Sequence, residues 1–178
     1  MPAFFLTIRD ILLLRRGPQD LPYSTQLLTA VAALCVILQL AVALGRDISV
    51  GAVIVGAALW LAFTLGVLSF VLGLRGLRNR FVQSATALLS CTLVFTVISI
   101  PIALLAGEPP TVPEQVTSLQ ILLGLISLPL LIWKILVDAH VFRHSFDIPF
   151  LGGVAISLLW IIAAMLLSVV AGAPATGA

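Results

Sequence analysis

Long runs of apolar residues, separated by short polar segments, recur along the whole chain. They predict membrane-spanning helices over five ranges, 24–44, 50–74, 85–106, 116–137 and 150–171, and the fourth helix can continue to His144. Each range is long enough to cross about 30 Å of hydrocarbon. A segment in lipid must be helical, because an unpaired backbone group finds no water to bond. The pattern therefore predicts an all-α integral membrane protein built as a bundle of five transmembrane helices.

The first residues follow a different pattern. Apolar side chains recur there at helical spacing with arginines beside them, at Phe4, Phe5, Ile8, Ile11 and Leu12, with Arg9 and Arg16. We therefore predict that residues 1–23 form an interfacial amphipathic helix and a linker, with Phe4, Phe5, Ile8, Arg9 and Arg16 at the membrane surface. The alternative is a helix packed on the bundle itself, and both can hold. Residues 24–171 form the transmembrane domain, and the tail 172–178 is expected to be disordered.

Charge is scarce and unevenly placed. Only 9% of the residues are Asp, Glu, Lys or Arg, against roughly 25% in soluble domains, so a water-facing surface is excluded. If the spans alternate, one side receives eight basic residues: Arg9, Arg15, Arg16, Arg75, Arg78, Arg80, Lys134 and Arg143. The other side receives only Arg46. The positive-inside rule then predicts a cytoplasmic N-terminus and a periplasmic C-terminus, in what we expect to be a bacterial inner membrane.

Two spans carry small residues along one face of the helix. They are Gly51, Ala58, Ala62, Gly66, Ser69 and Gly73 in the second span, and Gly153, Ser157, Ala164 and Ser168 in the fifth. Small residues mark packing faces in membranes, because they let two helices approach closely. We predict that both faces contact other helices. A leucine at Ala62 or Gly66 should then destabilise the folded protein.

Ionisable residues at membrane depth occur in the fourth span. A polar face lies within about 40° of the helical wheel and consists of Gln120, Ser127, Lys134 and Asp138. Three interpretations stay open. Lys134 can reach the interface while Asp138 neutralises it, or the face can line a path for a small solute or a proton. The third is a metal site at His140 and His144, which are four residues apart but lack the H-E-x-x-H pattern.

Other chemistry finds no support in the sequence. There is no nucleophile–base arrangement, no Gly-rich phosphate loop and no pair of carboxylates in one span. Cys35 and Cys91 lie inside spans without C-x-x-C spacing. We therefore predict no enzyme activity, no catalytic residues, no cofactor and no nucleic-acid partner. The expected partners are the lipid bilayer and either other membrane protein subunits or further copies of the chain.

Two stretches together are similar to a known family. One is Phe4-Phe5 with the run Asp10-Ile11-Leu12-Leu13-Leu14-Arg15-Arg16-Gly17-Pro18, and the other runs from Trp133 to His144 and is followed by Gly152-Gly153. The chain resembles the five-span Yip1-like membrane proteins, specifically their small bacterial members. It lacks the Asp-Leu-Tyr-Gly and Gly-Tyr motifs of eukaryotic members, so their trafficking role with small GTPases is not carried over. The resemblance implies a non-enzymatic interaction or membrane-organising protein.

Two function hypotheses follow from these patterns. The first is a non-enzymatic membrane protein that organises the membrane or assembles a complex through helix–helix contacts. The second is a small permease or transporter component whose pathway is lined by the polar face of the fourth span. Dependence on Lys134 and Asp138 favours the second, whereas dependence on the small-residue faces and the N-terminal helix favours the first.

Overall fold

The computed structural model describes residues 2–44, 49–107 and 116–170, without the side chains of Pro2 and residues 168–170. The described elements are all helices: α1 Pro2–Leu12, α2 Thr25–Leu44, α3 Val50–Leu74, α4 Phe81–Ala106, α5 Ser118–Phe146 and α6 Phe150–Val170, with 3-10 turns at Pro18–Asp20 and Arg78–Arg80. Five of them, α2 to α6, are long and apolar enough to cross a membrane. The prediction of a helical chain with five membrane-length helices is confirmed. Arg46, the tail 172–178 and the side chain of Ser168 lie outside the described residues.

Helix α5 is the longest helix and extends past the predicted end of its span. It begins with a capping box, in which the Gln120 amide donates to Thr117 Oγ1 at 3.2 Å and the Thr117 amide donates to Gln120 Oε1 at 3.0 Å. It ends at Phe146, and the capping residue Asp147 adopts a left-handed φ of 55°. Its 29 residues span about 43 Å at about 1.5 Å each, more than the hydrocarbon thickness of about 30 Å. Helix α5 is therefore longer than a perpendicular crossing of the hydrocarbon requires.

The protein core lies at one end of the bundle. Its buried side chains come mainly from the start of α4 and the end of α5, as at Ala85, Leu88, Cys91, Val137, Val141, Phe142 and Phe146. Helix α1 lies across this end and adds Ile8, Ile11 and Leu12 to the same cluster. The first half of α5 is mostly exposed, with Leu123 as its buried residue. Packing is therefore tight at this end, called the α1 end below, and open at the other.

Polar side chains tie α1 and its linker to the bundle. Trp133 Nε1 donates to the Leu12 carbonyl at 3.0 Å, and His140 Nε2 lies 3.0 Å from the Arg16 carbonyl oxygen. Gln83 Nε2 donates to two linker carbonyls, at 3.0 and 2.6 Å. These bonds satisfy carbonyl groups at and after the end of α1, which have no hydrogen-bond partner within a helix. They hold the N-terminal segment against α4 and α5.

Two arginines of the α3–α4 turn bind the end of α5. Arg75 Nη1 donates to the Phe146 carbonyl, and Arg80 Nη1 donates to the His144 carbonyl at 3.1 Å. The last carbonyls of a helix have no partner within it and carry the negative end of the helix dipole, so cations stabilise them. The turn before α4 and the end of α5 therefore lie together at the α1 end of the bundle.

The apolar stripe of α1 does not face lipid as a whole. Ile8 is only 6% exposed and packs in the core, so its assignment to the membrane surface is wrong. Phe4 is half-buried against the same cluster, whereas Phe5 is 67% exposed. The reason is that α1 lies directly on α4 and α5, which cover one side of the stripe.

The small-residue face of α6 packs as the sequence predicts. A Cβ atom placed on Gly153 would lie 2.3 Å from the Ala139 carbonyl oxygen, so α5 and α6 touch through their backbones here. Ser157, one turn further on, is fully buried, and Ala164 is half-buried. Small side chains make this approach possible.

Candidate functional site

An ion pair lies inside the bundle on α5. Lys134 Nζ is 2.6 Å from Asp138 Oδ2, and the two side chains are 20% and 2% exposed. The second carboxylate oxygen, Asp138 Oδ1, is buried and has no hydrogen-bond partner among the described residues. The buried Cys91 of α4 lies within electrostatic range of both charges. Ionisable groups buried in a protein are costly and often occur at functional sites, so this pair is the candidate polar site.

The other members of the predicted polar face bond locally. Ser127 Oγ donates to the Leu123 carbonyl of its own helix at 2.8 Å. Gln120, besides capping α5, donates through Nε2 to the Ala106 carbonyl at 3.1 Å and so joins the ends of α4 and α5. Of the four predicted residues, the structure brings only Lys134 and Asp138 into contact. The choice between an interfacial lysine and a polar pathway therefore stays open.

One residue of this face escaped the sequence analysis. Ser145 is fully buried, and its Oγ has no hydrogen-bond partner among the described residues. It follows Asp138 by seven residues and therefore continues the polar face toward the end of α5. The signal was the repeated spacing of seven, and Ser145 lies one residue beyond His144, the furthest end predicted for this helix.

The two histidines lie together at the α1 end. Their ring centroids, those of His140 and His144, are 4.5 Å apart in an edge-to-face arrangement. His140 Nε2 is already engaged by the Arg16 carbonyl. No group of three His, Cys, Asp or Glu side chains suited to a metal ion occurs in the described part of the chain. The histidine pair therefore lies where α5 contacts the linker after α1.

The small-residue face of α3 points away from the other helices in the described part of the chain. Its members Gly51, Ala58, Ala62, Gly66 and Ser69 are exposed, and a Cβ atom on Gly66 would meet nothing within 4 Å. The exposed members of this face contact no helix of the described part of the chain, and its packing against another helix stays a prediction. The buried face of α3 instead carries Ala57, Thr64, Leu68 and Leu72. Leu68 and Leu72 of this face pack in the core cluster, so α3 contacts the bundle through this side and leaves its small residues on the outer surface. Gly73 alone is covered, by the Arg78 side chain.

The arginines of α1 and of the segment that follows it lie at the surface. Arg9 Nη2 lies 2.8 Å from Asp10 Oδ1, and Arg16 Nε lies 3.4 Å from Asp10 Oδ2. The hydrogen bond from Arg9 holds the pKa of Asp10 below its usual value, and the neighbouring charges of Arg9, Arg16 and Arg15 act in the same direction. With Arg15 also exposed, this segment presents more positive than negative charge.

Comparison with known proteins finds no matching family model, no similar curated protein and no similar solved structure. The geometry of the chain itself therefore carries the functional argument.

Proposed function

We propose that this chain is a non-enzymatic membrane protein that works through helix–helix contacts, as a membrane-organising or complex-assembly subunit. The observation that carries the proposal is the outward small-residue face of α3, which finds no partner helix in the described part of the chain. Faces of this kind support close helix association in lipid, whether with a second copy or with another membrane protein. The exposed flanks of the five spans leave ample surface for such contacts, because between 11% and 28% of each span is buried.

The proposed setting is a bacterial inner membrane with the α1 end in the cytoplasm. The support is the number of basic residues in the segments that meet at this end. Phe5, Arg9 and Arg16 are exposed there and are the proposed contacts of α1 with anionic headgroups. The resemblance to the Yip1-like proteins agrees with a membrane-organising role and stays a prediction.

The test is a leucine substitution at Gly66, with Gly124 as its matched control. A Cβ atom at either glycine would meet nothing within 4 Å, so neither substitution should disturb the fold of a single chain. We expect Gly66→Leu to reduce self-association, measured by single-molecule photobleaching in liposomes, or to remove a co-purifying membrane partner. Gly124→Leu on α5 should behave like the natural sequence. Equal association and equal partner recovery in the two variants would contradict the proposal.

A second candidate function is a small permease component, favoured by the buried Asp138 oxygen that has no hydrogen-bond partner among the described residues. In this hypothesis the Gln120, Ser127, Lys134 and Asp138 face lines a pathway, and Asp138 is indispensable. Proteoliposomes with a trapped pH dye report proton flux directly. Flux through the natural protein that Asp138→Asn abolishes, while the fold is kept, would favour this candidate. Equal leakage with and without protein counts against a proton pathway.

A further inference from the structure

A groove opens on the surface of the bundle between α3 and α6. It has a volume of about 250 Å³, and every side chain that lines it is apolar. Phe63 and Trp160 line it and contact each other where α3 meets α6, with ring centroids 5.0 Å apart, and Phe146 of α5 also lines the groove. Both walls belong to helices long and apolar enough to cross a membrane. The groove therefore faces hydrocarbon, and an acyl chain matches its chemistry.

The residues that line the groove extend along the helix axis. On α3 it runs from Phe63 to Val71, and eight residue steps of about 1.5 Å give a length of about 12 Å. Its aromatic walls are held by further packing, since the Trp160 ring also contacts Phe142 at a centroid distance of 5.2 Å. A preformed apolar groove of this length accepts part of one acyl chain and loses little entropy in doing so.

A positive charge stands at the α1 end of the groove. Phe146 connects the two features, because its ring lines the groove and its carbonyl accepts a hydrogen bond from Arg75 Nη1. Arg75 also follows Val71 by one helical turn, and its amide donates to the Val71 carbonyl at 3.1 Å. Nη1 contacts the carbonyls of Phe146 and Asp147, which leaves guanidinium N–H groups on its other nitrogens for an anion.

The charge of Arg75 has no carboxylate partner in the described part of the chain. The ion pairs in the described part of the chain involve Arg9, Arg16 and Lys134, so Arg75 faces no carboxylate within salt-bridge distance there. Arginine binds phosphate through two parallel hydrogen bonds. A charge of this kind at the end of a membrane-facing apolar groove matches the two halves of an anionic phospholipid.

We propose that the α3–α6 groove and Arg75 bind one anionic phospholipid from the leaflet at the α1 end. One acyl chain occupies the groove, and the phosphate group contacts the Arg75 guanidinium. A zwitterionic phospholipid offers the same chains and phosphate but carries a compensating ammonium, so the site favours a lipid with net negative charge. This site is independent of the outward face of α3, which lies on the other side of that helix.

The test is native mass spectrometry of the full chain released from detergent. The protein is titrated with equal amounts of phosphatidylglycerol and phosphatidylcholine that carry the same acyl chains. We expect the first bound lipid to favour phosphatidylglycerol by about fivefold, as the attraction of one arginine for an anionic lipid implies. Equal binding of the two lipids shows ordinary contact with the bilayer and overturns the proposal.

Two pairs of variants separate the halves of the site. Ala163→Phe fills the groove and should remove the first bound lipid whatever its headgroup, whereas Val97→Phe, at an α4 position 52% exposed, should have no effect. Arg75→Gln should abolish the headgroup preference, and Arg78→Gln, which removes the same charge from a side chain lying against Gly73, should largely keep it.

Arg75 also caps α5, so loss of fold in Arg75→Gln is checked by circular dichroism. If that variant does not fold, the groove pair decides alone: equal lipid binding by Ala163→Phe and Val97→Phe overturns the proposal. Arg75→Lys keeps the charge without the paired hydrogen bonds and should show an intermediate preference.

Discussion

Replacing Gly153 with alanine tests whether α5 and α6 touch through their backbones. The new Cβ atom would lie 2.3 Å from the Ala139 oxygen and 3.1 Å from its carbonyl carbon. The two helices must separate by about 0.7 Å before even a tight contact of 3.0 Å is reached. Overpacking of this kind costs about 1–3 kcal/mol. Alanine recovers about 0.5–1 kcal/mol because it loses less backbone entropy than glycine, which leaves a net loss of about 0–2.5 kcal/mol and a loss of about 1–3 kcal/mol relative to a glycine-to-alanine change without the clash.

The neighbouring Gly152 provides the control. Its Cβ atom would lie 3.5 Å from Ile148 Cδ1, an ordinary contact with a side chain. Gly152→Ala should therefore be neutral or slightly stabilising, and it shares the helix and the entropy gain of Gly153→Ala. The free energy of unfolding is measured by titration with denaturing detergent, in which about 1.4 kcal/mol appears as a tenfold change in the unfolding constant. Equal stability of the two variants would refute the backbone contact.

Three further substitutions test the ion pair and the attachment of α1. Lys134→Met leaves the buried carboxylate of Asp138 without its partner and should cost about 3 kcal/mol of stability; thermal unfolding in detergent measures it, and adding Asp138→Leu should restore most of the loss. Trp133→Phe removes the bond to the Leu12 carbonyl, worth about 1 kcal/mol, and should speed proteolysis of the linker after α1; an unchanged cleavage rate counts against that bond. Gln83→Ala frees two linker carbonyls and should raise hydrogen exchange in residues 17–24 about fivefold, whereas equal exchange in both proteins disproves this attachment.

The small-residue faces show which contacts a helical-wheel pattern can predict. The same spacing of small residues on α3 and α6 predicts that each face contacts another helix. Gly153 lies against the α5 backbone, whereas Gly66 has empty space before it. A wheel describes one helix, so it marks a surface capable of close approach without naming the helix that approaches it. Which helix packs against that surface depends on the lengths and crossing angles of the other helices.

The N-terminal segment makes the same point with apolar residues. The spacing predicts an amphipathic helix, and α1 Pro2–Leu12 is one. Lipid and a protein core both attract an apolar face, so spacing alone leaves the partner open. The contact of Ile8 and Ile11 with the core and the bond between Trp133 and Leu12 belong to residues far apart in the chain.

The amino-acid sequence by itself determined the helical class, the number of membrane-length helices and their approximate bounds. These depend on local hydrophobicity over about 20 residues, and lipid leaves such a segment no alternative to a helix. Contact between Lys134 and Asp138 was equally predictable from the sequence, because side chains four residues apart on a helix are neighbours. Only the tertiary structure decided that α3 presents its small residues outward, that Arg75 and Arg80 bind the end of α5, and that a groove lies beside α6. Those features arise where separate helices meet, and no local pattern specifies which faces will be opposed.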